Sequence, residues 1–172
     1  ILSGVEKECG WMYRTKHTDG STGAINYTVW SDVFVCPHCA GEVVFWDAAV
    51  DQKAGKVLDE FICPHCGAKL TKRSMNHAWV TGYDRSIDQT IRQTKQVPVL
   101  INYTVGKKRF EKKPDAADLG LIDKIESMDI PYRVPTNSIP EGDKTGEPRR
   151  IGITHVHHFY TKRNLWTVAA VM

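Results

Sequence analysis

CPHCAGEVVFWDAAVDQKAGKVLDEFICPHC, residues 36–66, decides the fold of this chain. It opens and closes on the same four letters, Cys36-Pro-His-Cys39 and Cys63-Pro-His-Cys66. Two residues between the cysteines let both thiolates of one knuckle reach a single metal ion. Pro37 and Pro64 stiffen the turns, and Gly67 supplies permissive backbone just after the last ligand. Between the knuckles, Glu42 to Val50 alternates and is rich in strand formers, Asp51 to Lys56 is a polar turn with a glycine, and Val57 to Ile62 is apolar again. Two knuckles brought to one end of a hairpin make a zinc ribbon. Cys36, Cys39, Cys63 and Cys66 are therefore the expected metal ligands, and four thiolates with no open position make the zinc structural rather than catalytic. Disulfides would suit a secreted chain, and nothing in the sequence suggests secretion. A redox dithiol would need one CxxC on a βαβ scaffold. An iron site could use the same thiolates. His38 and His65 are expected to be exposed between the ligands, and Cys9 to be a free thiol.

Outward from the ribbon, Ile25 to Cys36 reads as a strand entering the first knuckle, after a turn at His17 to Gly23. Ala78 to Tyr83 reads as a strand leaving the second. Gln93 to Lys113 reads as a hairpin, with Val97 to Val105, a turn at Gly106-Lys107 and then Arg109 to Lys112, and with Pro98 marking an edge or a bulge. Pro114 to Met128 is the clearest helix. Pro114 suits its first turn, Asp115 and Asp118 favour its positive end, and Leu119, Ile122, Ile125 and Met128 form an apolar stripe. Ile130 to Arg150 carries four prolines and two glycines and reads as an extended loop. Toward the end, Thr161 is a plausible N-cap for a helix burying Leu165, Val168, Ala169 and Met172.

The expected fold is α+β: antiparallel β-strands with a four-cysteine zinc ribbon and one or two packed helices. Its segments are 1–34 as a strand region, 35–72 as the ribbon, 73–130 as hairpin plus helix, and 131–172 as a proline-rich loop leading into a helix. The chain of 172 residues starts at Ile1, and the apolar run Leu165 to Met172 stops without a cap, so it reads as a piece of a larger protein.

Apolar residues at 41% and charged residues at 25% are the balance of a soluble protein. No apolar run approaches the ~18 residues of a membrane span, and no leader resembles a signal peptide. The expected setting is cytoplasmic. A net charge of +3 does not by itself imply nucleic acid, but the basic residues are clustered. They gather at Lys69, Lys72 and Arg73, at Lys107, Lys108, Arg109, Lys112 and Lys113, at Arg149-Arg150 and at Lys162-Arg163. Four clusters in a small chain point to a polyanionic partner. Tyr103 and Phe110 lie beside the largest cluster, where burial is their expected role. His155, His157 and His158 form a THVHH group open to three readings: metal, DNA contact, or packing.

Several long phrases occur together: GWMYRTKHTDG at Gly10 to Gly20, the CPHC ribbon, IRQTKQVPVLINYTVGKKRFEK at Ile91 to Lys112, EGD at Glu141 to Asp143, and GITHVHHFYTKRNLW at Gly152 to Trp166. In this order they resemble the zinc-ribbon-containing interior of a large prokaryotic DNA methyltransferase of the amino-methylating kind, which modifies adenine N6 or cytosine N4 with S-adenosylmethionine. The resemblance implies an accessory, DNA-contacting region that works with the catalytic domain of the same parent chain. That family's catalytic motif is Asp, Asn or Ser, then Pro-Pro, then an aromatic ring that stacks on the flipped base. Asp129-Ile130-Pro131-Tyr132 departs from it at the first proline, and the glycine-rich cofactor turn has no counterpart here. Cofactor binding and methyl transfer are therefore expected of the parent and not of this segment alone. Two other readings stand beside this one: an insertion that props the enzyme or mediates subunit contact, and an independent zinc-ribbon module binding RNA or protein.

Overall fold

The computed structural model describes residues 2–172. In chain order the elements are α1 (Leu2–Cys9), β1 (Arg14–Lys16), β2 (Thr22–Val35), β3 (Glu42–Val44), α2 (Phe45–Ala49), β4 (Val50–Asp51), β5 (Lys56–Val57), β6 (Phe61–Ile62), β7 (Lys69–Leu70), β8 (Asn76–His77), β9 (Trp79–Asp84), β10 (Gln89–Thr94), β11 (Gln96–Val105), β12 (Lys108–Lys112), α3 (Ala116–Ser127), α4 (Gly146–Arg150) and α5 (Lys162–Ala169). The fold is α+β with antiparallel pairing, and its four knuckle cysteines lie close together. Among the described residues, no helix is long and apolar enough to cross a membrane.

The chain divides into two compact units. One holds the chain up to Thr28, Arg85–Asp88 and Leu100–Met172; the other holds Val29–Asp84 and Gln89–Val99. The division does not follow chain order, because the long strands β2 and β11 each pass from one unit into the other.

In the cysteine-bearing unit, β2 pairs with β3 and with β8, while β4–β5, β6–β7 and β9–β10 are separate two-stranded ribbons. The core is Phe34, Cys36, Val43, Ala49, Phe61, Cys63, Leu70 and Met75. Phe45 packs edge-on against Phe34 and Phe61. The expected strand over Glu42 to Val50 is interrupted. Only Glu42–Val44 and Val50–Asp51 are extended, and α2 lies between them. A strand would send Phe45 and Ala48 to opposite faces, whereas one helical turn puts residues three and four apart on the same side. Phe45, Ala48 and Ala49 all join the core this way, and Ser31 Oγ accepts the Trp46 N–H.

In the other unit the sheet order is β1-β2-β11-β12. Tyr103 faces Phe110 across β11 and β12, and Ile25 and Ile101 complete this patch. Gly23 is required here: a Cβ on it would lie 2.5 Å from the Tyr103 ring. Asp115 caps α3 by accepting the N–H groups of Ala117 and Asp118, and Asp118 returns the bond to the Asp115 N–H.

The apolar stripe expected on α3 is rotated. Leu119 is 43% exposed, and the inward face is instead Leu121, Ile125 and Met128. Asp118 sets this rotation. Its carboxylate is buried and held by Thr15 Oγ1 at 2.5 Å and Lys112 Nζ at 2.8 Å, so position 118 and those three and seven residues on face inward.

The last helix also differs from expectation. It spans Lys162–Ala169 and buries Leu165, Trp166 and Ala169, while Val168 and Met172 are exposed. Trp166 takes the inward place because its indole N–H donates to Glu8 among Cys9, Met12 and Ile125. Thr161 holds the N-cap position without a side-chain capping bond. Ile130 to Arg150 is mostly irregular, as expected, but contains α4 and anchors itself by burying Val134 and Ile139.

Candidate metal centre

Each knuckle is the tip of its own hairpin: β2–β3 carries Cys36 and Cys39, and β6–β7 carries Cys63 and Cys66. The two turns repeat each other bond for bond. Cys36 N–H donates to Gly41 O at 2.9 Å and Ala40 N–H to Cys36 O at 2.9 Å; Cys63 N–H donates to Ala68 O at 2.8 Å and Gly67 N–H to Cys63 O at 3.0 Å.

The four Sγ atoms lie within 4.8 Å of one another. Across the knuckles, Cys36 and Cys66 are 3.8 Å apart, and Cys39 and Cys63 are 3.9 Å apart. A tetrahedral zinc with Zn–S near 2.3 Å has sulfur–sulfur edges of about 3.8 Å. The donor set and spacing are therefore compatible with a structural zinc ion. Cys36 and Cys63 are buried in the core, whereas Cys39 and Cys66 face solvent. Burial opposes ionisation of Cys63, but the N–H groups of Cys66 and His65 outweigh it and hold that thiol down at about 6. Cys66 lies at the other extreme. The Ala68 N–H favours its thiolate, yet burial and the neighbouring sulfurs push it up to about 12.

His38 and His65 are both exposed. His65 has a role that spacing did not reveal. Its Nε2 meets the Glu42 carbonyl at 2.7 Å and its ring packs on Gly41, which ties the second knuckle to the first.

The repeat is imperfect at one backbone position. Gly67 has φ +73°, and its counterpart in the first knuckle is Ala40 at φ +57°. A side chain in this left-handed region costs roughly 1–2 kcal/mol. Ala40→Gly should raise the stability of the metal-loaded protein by about 1 kcal/mol. Gly67→Ala should lower it by a similar amount, since nothing else crowds that site. Thermal melts of the two variants check this, and a lower melting temperature for Ala40→Gly would contradict it.

No protein-family model, curated protein or solved structure matches the chain.

The basic residues separate into two kinds. Lys107, Lys108, Arg109 and Lys113 are exposed around the β11–β12 tip. Lys112 is turned inward and binds Asp115 at 2.6 Å, Asp118 at 2.8 Å and the Lys16 carbonyl at 3.0 Å. Its expected place among DNA-contacting residues gives way to this internal role, because the buried Asp118 carboxylate needs a cation. On the cysteine-bearing unit, Lys69 pairs with Glu60, Lys72 lies over the Phe45 ring, and Arg73 is exposed. Tyr103 is buried, and Phe110 packs with it and with His17.

His155, His157 and His158 do come together, with ring centroids 4.3 to 5.7 Å apart. The Pro135 carbonyl faces His157 Nδ1, and Thr154 serves the other two rings. Cys9 is buried, and burial pushes its thiol up. In the Asp129 to Tyr132 segment, Asp129 binds Arg85 at 2.5 and 2.6 Å, and Tyr132 donates to Glu8 at 2.6 Å.

Proposed function

We propose that this chain is a zinc-stabilised accessory region of an S-adenosylmethionine-dependent DNA amino-methyltransferase, and that it holds duplex DNA by its phosphates. The ordered phrases from Gly10 to Trp166 support the family, and the gathered thiols support one structural zinc. The observation that carries the DNA contact is the β11–β12 tip. Lys107, Lys108 and Arg109 are all exposed there, while Lys112, one turn of the ribbon away, is neutralised by its own carboxylates. The cysteine-bearing unit carries equal numbers of acidic and basic side chains, so the whole net charge of +3 belongs to the unit that holds this tip. In this reading the zinc maintains the scaffold, and methyl transfer and cofactor binding belong to the parent's catalytic domain.

Neutralising a few phosphates gives weak, sequence-independent binding that falls steeply with salt. The chain should bind a short duplex at micromolar or weaker affinity. Replacing Lys107, Lys108 and Arg109 with Ala should weaken binding and flatten the log–log salt slope by about 0.9 per cation removed. Fluorescence anisotropy at several salt concentrations tests this. Identical curves for the triple variant and wild type would move the DNA surface elsewhere and favour a purely structural insertion.

A further inference from the structure

Thirteen residues before the basic tip begins, the chain has built a second hairpin that none of the expectations above assigned to DNA. β9 and β10 form a two-stranded antiparallel ribbon that joins no larger sheet. Its register is Trp79↔Thr94, Thr81↔Arg92 and Tyr83↔Thr90, with Val80, Gly82 and Asp84 alternating between them. Residues that face each other across a ladder share a side of the sheet. One side therefore presents Trp79, Thr81, Tyr83, Thr90, Arg92 and Thr94, and its only charged group is Arg92. Thr81, Thr90 and Arg92 are exposed, and Tyr83 is 60% exposed. Asp84 belongs to the other side.

The Arg92 guanidinium lies over the Trp79 ring, 4.7 Å from its centroid. This contact has two consequences. It fixes the direction of the guanidinium, and it occupies the indole face on which an unpaired base would otherwise stack. The surface is thereby less suited to single strands and better suited to a groove. A two-stranded ribbon, with strands about 4.8 Å apart, fits the ~12 Å major groove. An oriented guanidinium matches the paired O6 and N7 acceptors of guanine, and threonines meet base edges or the thymine methyl.

We propose that this face of the β9–β10 ribbon reads base edges in the major groove of duplex DNA, with Arg92 as the guanine-contacting residue. The inference rests on the DNA-contacting reading above and adds its specificity. Phosphate contacts position a protein, whereas base contacts give it sequence preference, and a charge-neutral unit with an acid-free, threonine-rich face suits the second task.

The test selects binding sites from a pool of randomised duplexes with the full zinc-loaded chain, then compares enriched and scrambled duplexes by anisotropy. Wild type should enrich a guanine-containing site and bind it about tenfold more tightly than the scrambled duplex. Arg92→Lys keeps the charge but not the bidentate fork, so it should bind both duplexes alike. The double variant Thr81→Val, Thr90→Val should lose most of the preference by a separate route. Lys108→Ala should weaken both duplexes equally. If the pool enriches nothing, or if Arg92→Lys and the double variant keep the full preference while salt-dependent binding persists, the ribbon proposal falls and the phosphate-contact reading stands. If no duplex is bound in a salt-dependent way, both fall.

Discussion

Cys36→Ser should abolish metal binding and unfold the structure around the two knuckles. Structural zinc contributes on the order of 10 kcal/mol to folding at neutral pH in small modules, more than a domain's usual net stability of about 5–15 kcal/mol can easily spare. Two losses combine at this residue. A ligand disappears, and a hydroxyl is placed among Phe34, Val43, Phe61 and Leu70, where no water reaches it. Burying an unpaired hydroxyl adds about 1–3 kcal/mol. Cys39 is exposed, so Cys39→Ser loses the ligand without that second cost and should be the milder variant. Cys63→Ser should behave as Cys36→Ser does, because Cys63 shares the same core. Elemental analysis of wild type should give close to one zinc per chain and also separates zinc from iron. Less than half an equivalent of any metal, or a Cys36→Ser protein that melts at the wild-type temperature, would overturn the zinc assignment.

Lys112→Ala should destabilise the unit that holds α3 by about 3 kcal/mol. Removing one partner of a buried ion pair strands the other charge, at a cost of roughly 3–5 kcal/mol. The deciding number is the exposure of the carboxylates. Asp118 is 4% exposed, whereas Asp115 is 49% exposed and worth little as a pair. The low end of the range applies because Thr15 still donates to Asp118. Lys107→Ala, at the exposed tip, should change stability by no more than about 0.5 kcal/mol. The effect of Lys112→Ala should also depend on pH. Lys112 and the Asp118 N–H hold the Asp115 carboxyl below its ordinary range. Its contribution is therefore complete above the unfolded-state value near ~3.9 and is lost as pH falls through the folded-state value. The gap between wild-type and variant melting temperatures should narrow slightly in acid, by the small share that the exposed Asp115 contributes. Equal melting temperatures for Lys112→Ala and Lys107→Ala at neutral pH would show that the buried network carries no stability.

The sequence by itself determined the parts of this protein whose causes are local. A knuckle needs two cysteines three apart, a stiff turn and a few backbone bonds, all within six residues, so Cys36, Cys39, Cys63 and Cys66 could be read directly. The β11–β12 hairpin was legible for the same reason, with its turn residues flanked by strand formers. So was the start of α3, where Asp115 and Asp118 cap one another across a single turn. Tertiary structure decided what depends on partners far along the chain. The face that α3 buries was set by Thr15, more than a hundred residues away, holding Asp118 inward and sending Leu119 to solvent. The same carboxylate drew Lys112 out of a basic run that in sequence looks uniform. Phe45 turned an alternating stretch into helix because Phe34 and Phe61 await it on one side. Arg92 came to lie on Trp79 only through strand register. Local pattern sets which conformations a segment can adopt at low energy; burial of a specific charge or ring against a distant partner selects which one persists, and that selection cannot be read until the partners are in place.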